Sequence, residues 1–348
     1  MYLAQAFAAQ RRGEPLTPWQ VERRALRPHD VLIDIDFCGV CHSDLHQARG
    51  EWGRQLFPMV PGHEIVGTVT AVGAAVQHRH AGERVGVGCF VDACRHCQPC
   101  RAGLEQYCQQ GMTATYNGLE RDGLTRTYGG YATAIVVDEA FTVAMPDALP
   151  SDAAAPLLCA GITLYSPLRH WQVGPGTRLA ILGLGGLGHV GVRLARAMGA
   201  EVTVLSHSPH KQADALRLGA HAFHSSSDFG AEPQLRGAFD LILNTVSAPV
   251  DLDALSGLLR CDGTLVLLGI SPQAQSVRAT SLIGQRRRLA GSSLGGIAET
   301  QDMLSFCAAH GIVCDIERIR MQDINAAFER LDRGDVRYRF VIDMGSLR

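Results

Sequence analysis

The sequence predicts an α/β protein: a doubly wound parallel sheet in the second half, preceded by a β-rich domain with long loops. Three observations predict it. Short apolar runs alternate with Ala/Leu/Arg-rich stretches downstream of Ser151. A glycine loop, Gly183-Leu184-Gly185-Gly186-Leu187-Gly188, separates one such run from one such stretch. Upstream, β-branched runs are punctuated by pairs such as Pro61-Gly62 and Gly129-Gly130.

In the first half, Val31 to Asp36, Ile65 to Val72 and Ala134 to Val137 alternate as strands do. Ser151 to Ala155 reads as a helix start with Ser151 as its cap. Arg178 to Leu182 is a short apolar run bounded by glycines and reads as a buried strand. His189 to Met198 is a helix closed by Gly199, and Glu201 to Leu205 is the next strand. Lys211 to Leu218 is a second helix, closed by Gly219. Leu241 to Leu243 and Thr264 to Leu268 continue the alternation. The tail carries a helix around Asn325 to Leu331 and a strand from Tyr338 to Asp343. The domains expected from this texture are residues 1–155 with 295–348, and residues 156–294.

The chain as a whole excludes several classes. Its 348 residues suffice for two domains, and 46% hydrophobic with 19% charged content is that of a globular protein. A formal charge of −2, with no basic run longer than Arg286-Arg287-Arg288, argues against nucleic acid or an anionic membrane as partner. No apolar run approaches the roughly 20 residues of a membrane span. Residues 1–13 lack the pattern of a secretory signal. The 11 cysteines are odd in number, and four of them cluster, which suits metal binding in a cytoplasmic protein better than a disulfide framework.

The glycine loop fits G-x-G-x-x-G and stands where a dinucleotide site needs it, after a strand and at the start of a helix. Glycines there tighten the turn and let the backbone approach a pyrophosphate, which the helix N-terminus stabilises. An NAD-selective site wants an acidic residue at the end of the second strand. Here that strand runs into Ser206-His207-Ser208-Pro209-His210-Lys211. A carboxylate would repel a 2′-phosphate, whereas Ser206, Ser208 and Lys211 would hold one, so the cofactor expected is NADP(H). The competing reading makes Ser208 a helix cap and Lys211 a solvated charge.

Cys94, Cys97, Cys100 and Cys108 form a C-x2-C-x2-C-x7-C cluster. Four thiolates so spaced close a tetrahedron around zinc with no open position, which makes the site structural. Four sulfurs also suit an iron–sulfur cluster. His96 and Cys89 break the spacing and read as bystanders. A second constellation is dispersed: Cys41, the pair His63-Glu64, and Cys159. A catalytic zinc takes about three protein ligands and keeps one position open, and Cys41, His63 and Cys159 supply such a set. Singly, each has a plain reading, Cys159 as core and His63 as a structural histidine.

Together these pieces resemble the zinc-containing medium-chain dehydrogenase/reductases, and within them the cinnamyl alcohol dehydrogenase family and its bacterial broad-range aldehyde reductases. The resemblance spans nearly the whole chain. It rests on Gly39-Val40-Cys41-His42-Ser43-Asp44, Pro61-Gly62-His63-Glu64, the four-cysteine lobe, Leu158 to Tyr165, the glycine loop, and Gly334 to Asp343. It implies a Rossmann domain plus a GroES-like catalytic domain with a structural-zinc lobe. It implies two zinc ions per chain, NADP(H), a homodimer joined through the Rossmann sheets, and interconversion of small alcohols and aldehydes in the cytoplasm.

By the same resemblance Cys41, His63 and Cys159 bind the catalytic zinc, and Glu64 can enter its coordination. Asp44 orients His63. Ser43 bonds the substrate oxygen and passes its proton, through the cofactor ribose, to His46 at the surface. His42 and Arg339 match positions near the cofactor phosphates. Thr163, Thr245, Gly269, Ile270, Ser292, Ser293 and Leu294 match positions lining the cofactor, and Ser43 and His207 join that set. One departure stands out: plant members carry a Trp shortly after the lobe, and none occurs between Cys108 and Tyr116. Trp52, Phe57 and Met59 are then the expected pocket walls. Two rival readings remain at this stage. One is a zinc-free quinone or enoyl reductase on the same fold. The other is a non-enzymatic zinc-ribbon protein with a nucleotide-sensing domain.

Overall fold

The computed structural model describes residues 2–53, 55–271 and 273–348. The chain forms two compact units, Met1–Ile162 with Leu294–Arg348, and Thr163–Ser293. The divisions therefore fall at 162/163 and 293/294 in place of the expected 155/156 and 294/295. The reason is packing. The 3-10 turn Ala155–Leu158 lies against strands Asp30–Val40, Ile65–Val72 and Arg84–Val87 of the first unit. Leu294 packs on that unit's Phe90 and Phe141 cluster.

The second unit is built on a parallel sheet. Among the described residues its strand order is Ala222–Ser225, Glu201–Ser206, Arg178–Leu182, Phe239–Asn244, Leu259–Leu267, Arg288–Gly291. Numbered along the chain this is the order 3-2-1-4-5-6 of a dinucleotide-binding sheet. Leu179, Ala180, Ile181, Val202, Val204, Ile242 and Leu265 are wholly or almost wholly buried, as expected for strands covered on both faces. The helix after the first strand spans Gly188–Ala197. The next helix covers Gln212–Arg217, shorter than expected, because Pro209–Lys211 first forms a 3-10 turn. Ser208 stands at the N-cap of that turn without a side-chain capping bond, so the capping reading of its hydroxyl does not hold.

The first unit centres on strand Asp30–Val40, longer than the run the sequence suggested. Val31, Ile33 and Ile35 are fully buried, while Leu32, Asp34 and Asp36 are half-buried, the period-2 signature of a sheet with one covered face. It pairs antiparallel with Ile65–Val72, Ala134–Asp138 and Arg339–Asp343. The register sets up the site. Cys38 pairs with Ile65, and Val40 pairs with Phe340. The residues just beyond these pairs, Cys41, Glu64 and Arg339, are thereby delivered to one end of the sheet. Helix Ser151–Ala154 begins where expected, but Pro150 occupies its N-cap and the Ser151 hydroxyl instead accepts from Arg84 Nη1 at 3.1 Å.

Arg23 ties the loop 128–134 to this unit. Its guanidinium is buried and donates to the carbonyls of Ala134 (2.9 Å), Tyr128 (2.5 Å) and Gly129 (2.7 Å). Replacing it leaves those acceptors unpaired, at a cost of about 1–3 kcal/mol for each that water cannot reach. We expect Arg23→Met to destabilise the protein by about 3 kcal/mol or more, read as a lowered urea midpoint; an unchanged midpoint contradicts the clamp.

Candidate active site

The first unit brings Cys41, His63, Glu64 and Cys159 together, with one donor atom from each lying within 4.8 Å of the others, all buried. Cys41 follows the central strand and precedes helix His42–Ala48. His63 and Glu64 precede strand Ile65–Val72. Cys159 follows the 3-10 turn Ala155–Leu158. Gly39 makes room for the acid: a Cβ there would lie 1.9 Å from Glu64 Oε2. That oxygen is buried and accepts no hydrogen bond among the described residues, while Oε1 is paired with Arg339 Nη2.

The donors at this site shift one another's protonation. Cys159 donates to Cys41 and, with Arg339 and His63 beside it, holds the Cys41 thiol well below its usual value despite burial. The same hydrogen bond to Cys41 pushes Cys159 well up, as one proton is shared between two sulfurs. Burial raises Glu64 to about 7, against the pull of the Arg339 guanidinium. Burial opposes a charged His63, but Asp44 outweighs it and holds the imidazole well above its ordinary value. Two sulfurs, an imidazole nitrogen and a carboxylate oxygen within one small volume fit zinc in type and number.

Asp44 is fully buried beneath this group. Its Oδ2 accepts the Cys41 N–H at 2.9 Å, and its Oδ1 accepts the Gly62 N–H at 3.0 Å and faces His63 Nδ1 at 3.1 Å. With Nδ1 so engaged, Nε2 is the nitrogen left for a metal. Tyr131 Oη also reaches Asp44 Oδ2, at 3.2 Å, and the Tyr116 ring stacks on His63 at 5.8 Å between centroids. Neither tyrosine was singled out as a site residue from sequence. Both come from a loop far along the chain, and no local pattern ties them to His63.

The remaining residues of the first unit sort by position. Ser43 Oγ lies 3.6 Å from Cys41 Sγ. His46 is partly exposed, pairs through Nδ1 with Glu51, and stacks on Trp52 at 4.9 Å. Glu51 is a further site residue missed by sequence reasoning; its place five positions after a candidate relay histidine was the available signal. His42 is exposed, its ring 6.2 Å from that of His46. Arg339, expected near phosphates, is 3% exposed and engaged by Glu64. Met59, expected as a pocket wall, is 1% exposed and pairs its backbone with Ala9, and Phe57 packs against the core.

The cysteine lobe closes as its spacing suggested. One sulfur from each of Cys94, Cys97, Cys100 and Cys108 lies within 4.8 Å of the rest. Backbone N–H groups of Cys94 and Cys97 donate to Cys108 Sγ and Cys94 Sγ, both at 3.3 Å, bonds that favour thiolates. His96 is exposed and bonds the Cys94 carbonyl at 2.6 Å, outside the sulfur set. Cys89 also stands apart from that set, but it lies against Cys159 and is therefore no bystander to the other site.

In the second unit the candidate cofactor residues follow the carboxyl ends of the sheet's strands. Gly183 to Gly188 follow Leu182, Ser206 ends its strand, Thr245 follows Asn244, Gly269 and Ile270 follow Leu267, and Ser292 and Ser293 follow Gly291. This is the edge at which such sheets bind nucleotides. The glycines divide the work. Gly183 has φ +93°, and Thr245 Oγ1 bonds the Leu182 carbonyl beside it at 2.8 Å. A Cβ on Gly188 would sit 2.0 Å from the Gly183 carbonyl oxygen, whereas one on Gly185 would meet nothing within 4 Å. The open side of Gly185 is where a pyrophosphate can approach. Lys211 Nζ reaches back to the Leu184 carbonyl at 2.9 Å, and Ser206 Oγ accepts the Ser208 N–H at 3.1 Å. Thr163 is buried, His207 and Ile270 are exposed, and Leu294 belongs to the other unit.

Fold, glycine loop and clustered donors define a zinc-binding, nucleotide-dependent dehydrogenase. Residues 27–147 match the alcohol dehydrogenase GroES-like domain and residues 186–309 the zinc-binding dehydrogenase domain, and the chain belongs to the zinc-dependent medium-chain dehydrogenase/reductase family. It is 58% identical to NADP-dependent alcohol dehydrogenase C 1 of Mycolicibacterium smegmatis, covering 100% of both chains. It is 51% identical to aldehyde reductase YahK of Escherichia coli, covering 98% of each. A cinnamyl alcohol dehydrogenase structure from Sorghum bicolor superposes with a TM-score of 0.95 at 43% identity, over 99% of this chain and 98% of that one. The Helicobacter pylori enzyme complexed with NADP(H) gives 0.93 at 40% identity, over 99% and 98%.

The glycine geometry makes two substitutions separable. Gly188→Ala drives a Cβ into backbone, so we expect it to destabilise the protein by about 2 kcal/mol or more. Gly185→Ala should leave thermal unfolding of the cofactor-free protein nearly unchanged yet weaken NADPH binding by about tenfold or more. Titration of NADPH fluorescence and thermal melts of both variants check this, and equal behaviour of the two contradicts it.

Proposed function

We propose that this protein is a zinc-dependent oxidoreductase that interconverts alcohols and aldehydes with NADP(H), acting mainly as a broad-range aldehyde reductase. The observation that supports this most is the buried convergence of Cys41, His63, Glu64 and Cys159. A zinc-free reductase or a nucleotide sensor has no need of that donor set. Cys41, His63 and Cys159 would hold the catalytic zinc, with Glu64 able to approach it, and Cys94, Cys97, Cys100 and Cys108 would hold a structural one, two ions per chain. The names of the relatives, NADP-dependent alcohol dehydrogenase and aldehyde reductase, agree with this reading.

When bound, zinc supplies a Lewis acid that stabilises negative charge on the substrate oxygen, and NADP(H) supplies or accepts the hydride. The protein's own residues do the rest. Ser43, beside the Cys41 sulfur, donates a hydrogen bond to the substrate oxygen and gives it a proton as the alcohol forms. His46, partly exposed and paired with Glu51, exchanges that proton with solvent. Asp44 keeps His63 in the tautomer that presents Nε2. Ser206, Ser208 and Lys211 hold the 2′-phosphate, and Gly183 to Gly188 with Thr245 form the pyrophosphate cradle. His42, Thr163, His207, Gly269, Ile270, Ser292, Ser293, Leu294 and Arg339 complete the proposed cofactor surroundings. In Arg339's case the contact with Glu64 makes its part indirect.

A cytoplasmic homodimer completes the proposal. The eleven thiols are all free of disulfides, and no described helix is long and apolar enough to cross a membrane. Among the described residues, strand Arg288–Gly291 ends its sheet with a partner on one side, which suits pairing with a second copy.

Three measurements test the function. Cys41→Ala and His63→Ala should each abolish NADPH consumption with aldehydes and lower bound zinc from about two ions per chain to about one; near-normal turnover in both variants refutes the assignment. Ser206→Asp should lower the NADP/NAD ratio of kcat/KM by about an order of magnitude, the size of a lost phosphate contact plus a like-charge encounter. A panel of aliphatic and aromatic aldehydes reads the breadth of the pocket.

A further inference from the structure

The segment that delivers His63 is held from outside by a second one. Gly129 N–H donates to the Val60 carbonyl at 2.8 Å, Gly130 N–H to Gly62 at 2.9 Å, and Tyr131 N–H to Pro61 at 3.0 Å. These bonds lock the backbone before His63. The Tyr131 side chain does something different. It is fully buried, and its hydroxyl donates to Asp44 Oδ2 at 3.2 Å. Asp44 thereby faces the N–H groups of Cys41 and Gly62, His63 Nδ1–H and the Tyr131 hydroxyl, and the buried Tyr116 hydroxyl bonds it as well. A carboxylate offers about four lone-pair sites, so these donors saturate it. Cys41 and His63 also carry a metal-binding atom, Gly62 is the backbone next to His63, and Tyr116 stacks on the His63 ring. Tyr131 is the donor that touches none of the metal-binding side chains directly.

We propose that Tyr131 is a positioning residue for the metal: its hydroxyl fixes the Asp44 carboxylate in the orientation that aims His63 Nε2. The ring itself has little freedom to shift. Gly62, at φ +104°, lies so close that a Cβ there would come within 2.7 Å of Tyr131 Cδ1. The Tyr116 ring stacks on His63, so the imidazole is held by a ring contact as well as by Asp44. Removing the hydroxyl alone would leave ring and backbone bonds intact and free the carboxylate to turn. The effect is then on how tightly the metal is held, not on whether the chain folds.

The inference rests on the zinc reading of Cys41, His63 and Cys159, and the test separates the two. Wild type, Tyr131→Phe, Asp44→Asn and the double variant are purified as holoenzymes. Release of zinc to a chelator is followed in time, alongside steady-state kinetics and thermal unfolding of the metal-stripped chains. We expect Tyr131→Phe to release one of two zinc ions about tenfold faster, to retain the other at the wild-type rate, and to lower kcat without changing the KM for NADPH. Its stripped form should still fold cooperatively, with its unfolding temperature lowered by no more than the loss of one hydrogen bond to a buried carboxylate. Adding Tyr131→Phe to Asp44→Asn should change release by less than about twofold, because both act through one carboxylate. Wild-type release kinetics in Tyr131→Phe overturn the proposal. So does a lowered melting temperature of the stripped chain with unchanged zinc release, which marks a packing role, or multiplicative effects in the double variant. A wild-type protein whose zinc content is indifferent to Cys41→Ser overturns the metal-site reading and this inference with it.

Discussion

A buried carboxylate must be satisfied completely or it destabilises everything around it. Asp44 meets that demand by drawing on the start of its own helix, the Gly62-His63 pair and the distant Tyr131. The donors are useful in return. The Cys41 N–H is the first orphan of a helix end, and capping it sets the direction in which the Cys41 sulfur leaves the strand. Gly62 and His63 are consecutive, so one oxygen fixes both the turn and the imidazole that follows it.

Above Asp44 the site is a closed economy of charge. Arg339 is among the most deeply buried cations in the chain, and its partner Glu64 is equally buried. A pair of this kind is worth little as a source of stability, since its desolvation offsets most of its attraction. Its value is local. It holds the Glu64 carboxylate in place, with Oε1 4.0 Å from His63 Nε2 and beside the cluster of the two sulfurs. His46, Glu51 and Trp52 stand apart from this interior, where the helix His42–Ala48 and the turn after it are partly open to water.

Local patterns made part of this molecule readable in advance. The strands Arg178–Leu182 and Ile65–Val72 begin and end where their apolar runs do, and the cysteine lobe closes as its spacing suggested. In each case neighbouring residues carry the information. The union of Cys41, His63 and Cys159 was different: only likeness to known enzymes joined them, because strand register, not spacing, brings their ends together. Tyr131, Tyr116 and Glu51 escaped notice because a tyrosine or glutamate has no signature until its partner is known. Ser151 misled for a related reason. It had the chemistry of a cap, but Pro150 took the position and a distant arginine took the hydroxyl. The unit boundary moved because Ala155–Leu158, helical in texture, is buried against strands that lie far earlier in the chain.

The first unit is assembled from two pieces of chain, one before and one after the second unit in sequence. Strand Arg339–Asp343 pairs with Asp30–Val40, and until it does so Glu64 lacks its cation. During synthesis the nucleotide-binding sheet, contiguous in sequence, is complete on the ribosome before that partner strand has been made. The pairing of Glu64 with Arg339 therefore waits until about 275 residues after Glu64 has been made, so Cys41 and His63 leave the exit tunnel well before their neighbourhood is complete.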